Sequence, residues 1–126
     1  MTPPNPPSEP ATQLVVVLSN SSADAQGAAL LALRYAATAA AMDVATQVHI
    51  VSGAAVRLFE RTGVSAPLAA QAQQAREHGV EIFACPMALA EQGLRTDELV
   101  AEVCGVRGAA SLLGSGFTSG ARFLSF

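Results

Sequence analysis

Tryptophan is absent from this chain, aromatic residues make up only 5% of it and charged residues 13%. So few aromatics leave little surface for stacking on bases. Seven Lys and Arg against ten Asp and Glu, a formal net charge of -3, provide no basic footprint for a polyanion. No nucleic-acid partner is therefore expected. Cysteine is scarce as well: the two present, Cys85 and Cys104, lack CxxC spacing and are too few for a disulfide framework, so free thiols are expected. Neither His49 nor His78 stands at metal-ligand spacing from a cysteine, and no metal or cofactor is expected.

Long uninterrupted apolar runs are also missing. The segment "GAALLALRYAATAAAMDV" approaches the length of a bilayer span, but Arg34 and Asp43 interrupt it and alanine supplies much of its bulk. It reads as a buried amphipathic helix, with no membrane association. No basic region followed by an apolar stretch precedes it, so a secretory signal is not expected and the cytoplasm is the expected compartment. The loop "SNSSADAQG" after the first apolar run has neither GxGxxG nor GxxxxGK[ST], and reads as a capped helix start rather than a nucleotide cradle.

What is present is apolar: 51% of the 126 residues are hydrophobic. That length supports one domain with a single core, and the apolar excess suggests surface covered at a subunit interface. Residues 1–13, "MTPPNPPSEPATQ", hold five of the seven prolines and read as a disordered tail before a domain over 14–126. "LVVVLS" is a continuous β-branched run suited to a central parallel strand. Candidate caps Ser21, Ser22 and Asp24 then precede an alanine-rich helix to about Met42.

"TQVHIVS" and "VEIFA" read as further strands. Between them lie a short helix in "AAVRLFERTG", with Gly63 as its candidate terminator, and one opened by Pro67 and stopped by Gly79. After Cys85, a helix from Pro86 to Gln92 ended by Gly93, a helix in "TDELVAEV" capped by Thr96, and a last helix precede a closing strand "ARFLSF". Alternating strands and helices imply an α/β fold: one open, mostly parallel sheet of about four to five strands with helices on both faces.

Cys85 stands where such sheets place their sites, beyond the carboxyl end of a strand. Pro86 suits the first helical position, which makes Cys85 the N-cap and aims its sulfur at the unpaired amides of the first turn. No Lys, Arg or His lies nearby in sequence, so Arg57, Arg61 or Arg107 would approach only through the fold or from another subunit. Position alone leaves two readings open: a small apolar residue filling a gap, or an activated thiol. Cys104, in "AEVCGVRG", reads first as a structural or incidental thiol, with a second sulfur site or a resolving partner for Cys85 as the alternative. His49 reads as a hydrogen-bonded histidine in a strand, and His78 as a residue contacting terminal carbonyls of its helix.

The pieces "LVVVLS", "GAALLALRYAATAAAMD" running into "VHIVSG", "VEIFACPMALAEQGL" and "VRGAASLLGSGFTSGARFLSF" together resemble the DsrE/DsrF/TusD family of small sulfur-transfer proteins. A strand ending in Cys, a small apolar helix and then Gly-Leu is the most diagnostic part. The resemblance implies that Cys85 accepts sulfane sulfur as a persulfide, between donor and acceptor proteins, in a homo-oligomer of trimeric or hexameric kind. It implies a carrier or transferase rather than an enzyme turning over a small substrate. Asn20, Ser21, Pro86, Met87, Arg107 and Gly108 are the candidate neighbours of the sulfur. Two competing readings remain: a noncatalytic binding or assembly module, and a thiol redox protein using Cys85 with Cys104.

Overall fold

The computed structural model describes residues 12–126. The expected N-terminal tail lies outside the described residues, apart from Thr12 and Gln13, and Gln13 already opens the first strand. Five strands, β1 (Gln13–Leu18), β2 (Ala45–Ile50), β3 (Glu81–Ala84), β4 (Gly105–Val106) and β5 (Ala121–Ser125), form one sheet in the order β4-β3-β2-β1-β5. Every pair is parallel. The α/β architecture with a parallel sheet is thus the one the alternating pattern predicts.

Helices α1 (Ala25–Ala41), α2 (Gly53–Leu58), α3 (Ala66–Glu77) and α4 (Pro86–Gln92) cover one face, and α5 (Ala109–Gly116) lies on the other. The division follows from handedness. From β1 to β4 the chain advances in one direction across the sheet, so right-handed crossovers put their helices on one side. The return from β4 to β5 runs the other way and puts α5 opposite. Side-chain alternation then sorts the strands: Leu14, Val16, Leu18, Val48, Ile50, Ile82 and Ala84 join the core beneath α1–α4.

That core depends on small residues. Ala25, Ala29, Ala32, Leu33, Ala36 and Ala37 recur along one stripe of α1 and bring its backbone close to the sheet. Leu33, Phe59, Leu68 and Ile82 are fully buried, and truncating one of them to alanine should cost about 2–5 kcal/mol. At the start of α3, Ser65 accepts from the Leu68 amide, with Pro67 in the first turn. Gly79 and Gly93 close α3 and α4 with φ of 88° and 63°, a left-handed conformation that only glycine adopts without strain.

Two expected helices are shorter than their patterns suggest. "TDELVAEV" forms only a 3-10 turn, Thr96–Glu98, whose cap is Arg95 rather than Thr96. Beyond it the backbone pairs with the end of α2: the Val100 amide donates to the Phe59 carbonyl at 2.9 Å, and the Arg61 amide to that of Glu98 at 2.8 Å. This pairing buries Leu99, Val100 and Val103 and overrides a spacing equally compatible with a helix. It also ends α2 at Leu58, because Phe59 must turn into the core, so Gly63 does not terminate that helix. Two-residue β4 has no apolar run of its own and escapes detection in the sequence.

Candidate functional site

Adjacent strands β3 and β4 send their following helices to opposite faces of the sheet, α4 to one and α5 to the other. Loops that part in this way leave a crevice beyond the strand ends. Here it is a cavity of about 420 Å³. Cys85, Met87, Ala88 and Glu91 come from the β3–α4 side, Arg107, Gly108 and three residues of α5 from the β4 side, and Val17 and Val51 from the ends of neighbouring strands.

Cys85 is half-buried and caps α4 in extended conformation, φ -75° and ψ 128°, with Pro86 opening the helix. Its amide donates to the Ile50 carbonyl at 2.9 Å, and its carbonyl accepts from the Leu89 amide at 3.1 Å. The backbone under the sulfur is therefore held on both sides. The expected bond from sulfur to the first-turn amides is not made: the Cys85 side chain accepts no capping hydrogen bond.

Arg107, remote in sequence, reaches the cavity because its amide continues the ladder, donating to the Ala84 carbonyl at 3.0 Å. Its guanidinium lies 4.5 Å from the centre of the Phe83 ring, and one Nη donates to Ser111 Oγ at 3.2 Å. Among the described residues it has no carboxylate partner. Arg57, by contrast, is engaged by Glu60 and Gln92, and neither it nor Arg61 lines the cavity.

Behind Phe83 lies His49, buried, with ring centres 5.5 Å apart. Its Nε2 meets Gln47 Oε1 at 3.0 Å, while Nδ1 has no partner among the described residues. Burial, and after it the Arg107 charge, push its pKa from 6.5 down to about 4, so the imidazole is neutral at pH 7.

Of the sequence candidates, Cys85, Met87, Arg107 and Gly108 meet at this cavity. Pro86 stands at its edge, close to Gly108, without lining it. Asn20 and Ser21 do not line it either: Asn20 Oδ1 instead accepts from the Ser22 amide at 2.9 Å and hydroxyl at 2.7 Å, shaping the turn into α1. Asp24 caps that helix without a side-chain bond. Cys104 is exposed and beside Ile82, whose amide lies 3.5 Å from its sulfur. Ile82 and Cys85 stand three positions apart along extended chain, roughly 10 Å and beyond disulfide reach. His78 caps α3 and lines a separate cleft with Arg34 and Gln74.

The α5 wall and Phe83 were not anticipated. Strand alternation, which puts Val17, Val51, Phe83 and Cys85 on one face, is the available signal for the sheet side; the last helix is expected from the sequence, but nothing local marks it as a wall of the cavity.

The model of the DsrE/DsrF-like family matches residues 13–119. The chain belongs to the DsrE/DsrF-like family. Solved structures share its fold: the ychN protein of E. coli aligns with a TM-score of 0.72 at 16% identity, covering 91% of this chain and 99% of that one. A protein of unknown function from Methanobacterium thermoautotrophicum aligns at 0.67 and 16% identity, covering 90% of this chain and 98% of its own. One from Bacteroides thetaiotaomicron gives 0.67 at 14% identity, with coverage of 91% and 95%. No curated protein sequence matches the chain. Among the described residues of this DsrE/DsrF-like protein, no group of three or more His, Cys, Asp or Glu is placed to hold a metal ion, and no helix is long and apolar enough to cross a membrane.

Proposed function

We propose that this protein carries sulfane sulfur as a persulfide on Cys85, receiving it from a donor protein and passing it to an acceptor protein. The observation that carries the reading is the placement of Cys85 in a DsrE/DsrF-like chain: a free, half-buried thiol on a held backbone, in the wall of a cavity at the strand ends. Members of this family are generally sulfur-relay components. The Cys85 thiolate attacks the outer sulfur of a donor persulfide, R–S–SH. The donor's S–S bond breaks, its electron pair leaves with R–S⁻, which takes a proton from solvent, and Cys85 becomes Cys–S–SH. The acceptor's thiolate repeats the exchange. No external oxidant or reductant is needed.

A disulfide relay between Cys85 and Cys104 is disfavoured by the separation along β3. Reduced thiols suit a cytoplasmic setting. We also infer a homo-oligomer on the strength of the exposed Tyr35, Met42, Leu113 and Phe117; a trimeric or hexameric stoichiometry is what the family resemblance implies.

Intact-mass spectrometry of reduced protein exposed to polysulfide tests the carrier reading. Sulfur-sized increments should appear in wild type and in Cys104→Ser and vanish in Cys85→Ser. A wild type that stays unmodified under donors that load a control carrier would leave only the noncatalytic module.

A further inference from the structure

The volume beside Cys85 is far larger than a sulfur atom requires. One sulfur fills roughly a water's share of space, about 30 Å³, whereas the cavity holds about 420 Å³, inside the ~300–1,000 Å³ range of small-molecule pockets. Its walls are mainly apolar, built from Val17, Val51, Ala88 and Leu112. Among the described residues two charged ones line it, Arg107 and the exposed Glu91, and their formal charges cancel. A small inorganic polyanion therefore gains little from the cavity as a whole, and selection falls to the apolar walls. Arg107, held by Phe83 and Ser111 and without a carboxylate partner among the described residues, retains free N–H donors for one anionic group.

We propose that this cavity binds small organic persulfides with an aliphatic body and a terminal carboxylate, the body against Val17, Val51, Ala88 and Leu112 and the carboxylate at Arg107, so that such molecules load Cys85 directly. The proposal rests on the carrier reading of Cys85. The exchange is the one already written, with the small thiolate R–S⁻ leaving the cavity, taking a proton from solvent and carrying no sulfane sulfur away.

The test compares loading rates of Cys85, by time-resolved intact mass, for the persulfide of 6-mercaptohexanoate and for inorganic polysulfide at equal sulfane concentration. Hexanoate, which has no sulfur, is titrated separately into Cys85→Ser while the Ala88 and Leu112 amides are followed by NMR. Burial of even two methylenes corresponds to roughly ten-fold, so the organic persulfide should load at least about ten-fold faster and saturably. Ala109→Leu, which adds bulk at the exposed start of α5, should bring that ratio close to one, and hexanoate should shift both amides. Equal rates for the two donors, or no hexanoate shift, would overturn the organic-donor assignment while leaving the carrier intact. Hexanoate binding without loading of Cys85 by any donor would overturn the carrier reading, and the donor assignment with it.

Discussion

His49 shows how a single side chain can report on its surroundings. Its pKa is lowered to about 4, so the folded state resists a proton that the unfolded chain accepts near 6.5. Between those values the unfolded state binds more protons. The stability contributed by neutral His49 is therefore fully present above about pH 6.5 and is lost as pH falls towards 4, by at most about 3 kcal/mol. Urea denaturation of wild type and His49→Phe across this window should show a steeper loss in wild type; parallel curves would remove His49 from the account. Cys104 makes a simpler case. Exposed and outside the cavity, it should tolerate Cys104→Ser within about 0.5 kcal/mol of wild-type stability in the same denaturation assay.

Among elements, α5 is the exception. It has no buried residue, unlike α1–α4, yet it forms one wall of the cavity. Its seat on the sheet depends on Gly116, where a methyl group would overlap the Phe123 ring of β5. Gly116→Ala should therefore shift α5 away from β5, cost about 1–3 kcal/mol, and raise amide exchange in α5 selectively. Exchange that stays unchanged would mean that Phe123 swings aside without moving the helix. Sequence pattern identified α1, α3 and α4 because caps, glycine stops and apolar stripes agreed there. It overextended the segment after Arg95, where Leu99, Val100 and Val103 satisfy a helical spacing but bury themselves by pairing with the end of α2.

For the whole molecule, apolar surface left by the fold lies on both sides of the sheet. Leu31, Tyr35, Met42 and Leu124 are exposed around α1 and β5, and Met87, Val106, Leu113 and Phe117 around the cavity and α5. If these surfaces meet in an oligomer, Tyr35→Glu or Leu113→Glu should lower the sedimentation-derived mass to that of one chain without unfolding it. A wild type already sedimenting as a monomer would reject self-association.

The alternation of strands and helices from β1 to α4, the parallel sheet and the position of Cys85 at a strand end were written in local signals: β-branched runs, alanine spacing, Pro86 and Gly93. The cavity was not, because its two walls lie on segments that meet only when β4 pairs with β3 and α5 crosses to the opposite face. Arg107 is 22 positions beyond Cys85, and only the family resemblance, with no local signal, made it a candidate. Residue type and periodicity decide what a segment becomes; strand order and crossover handedness, which no single segment encodes, decide what stands beside the sulfur.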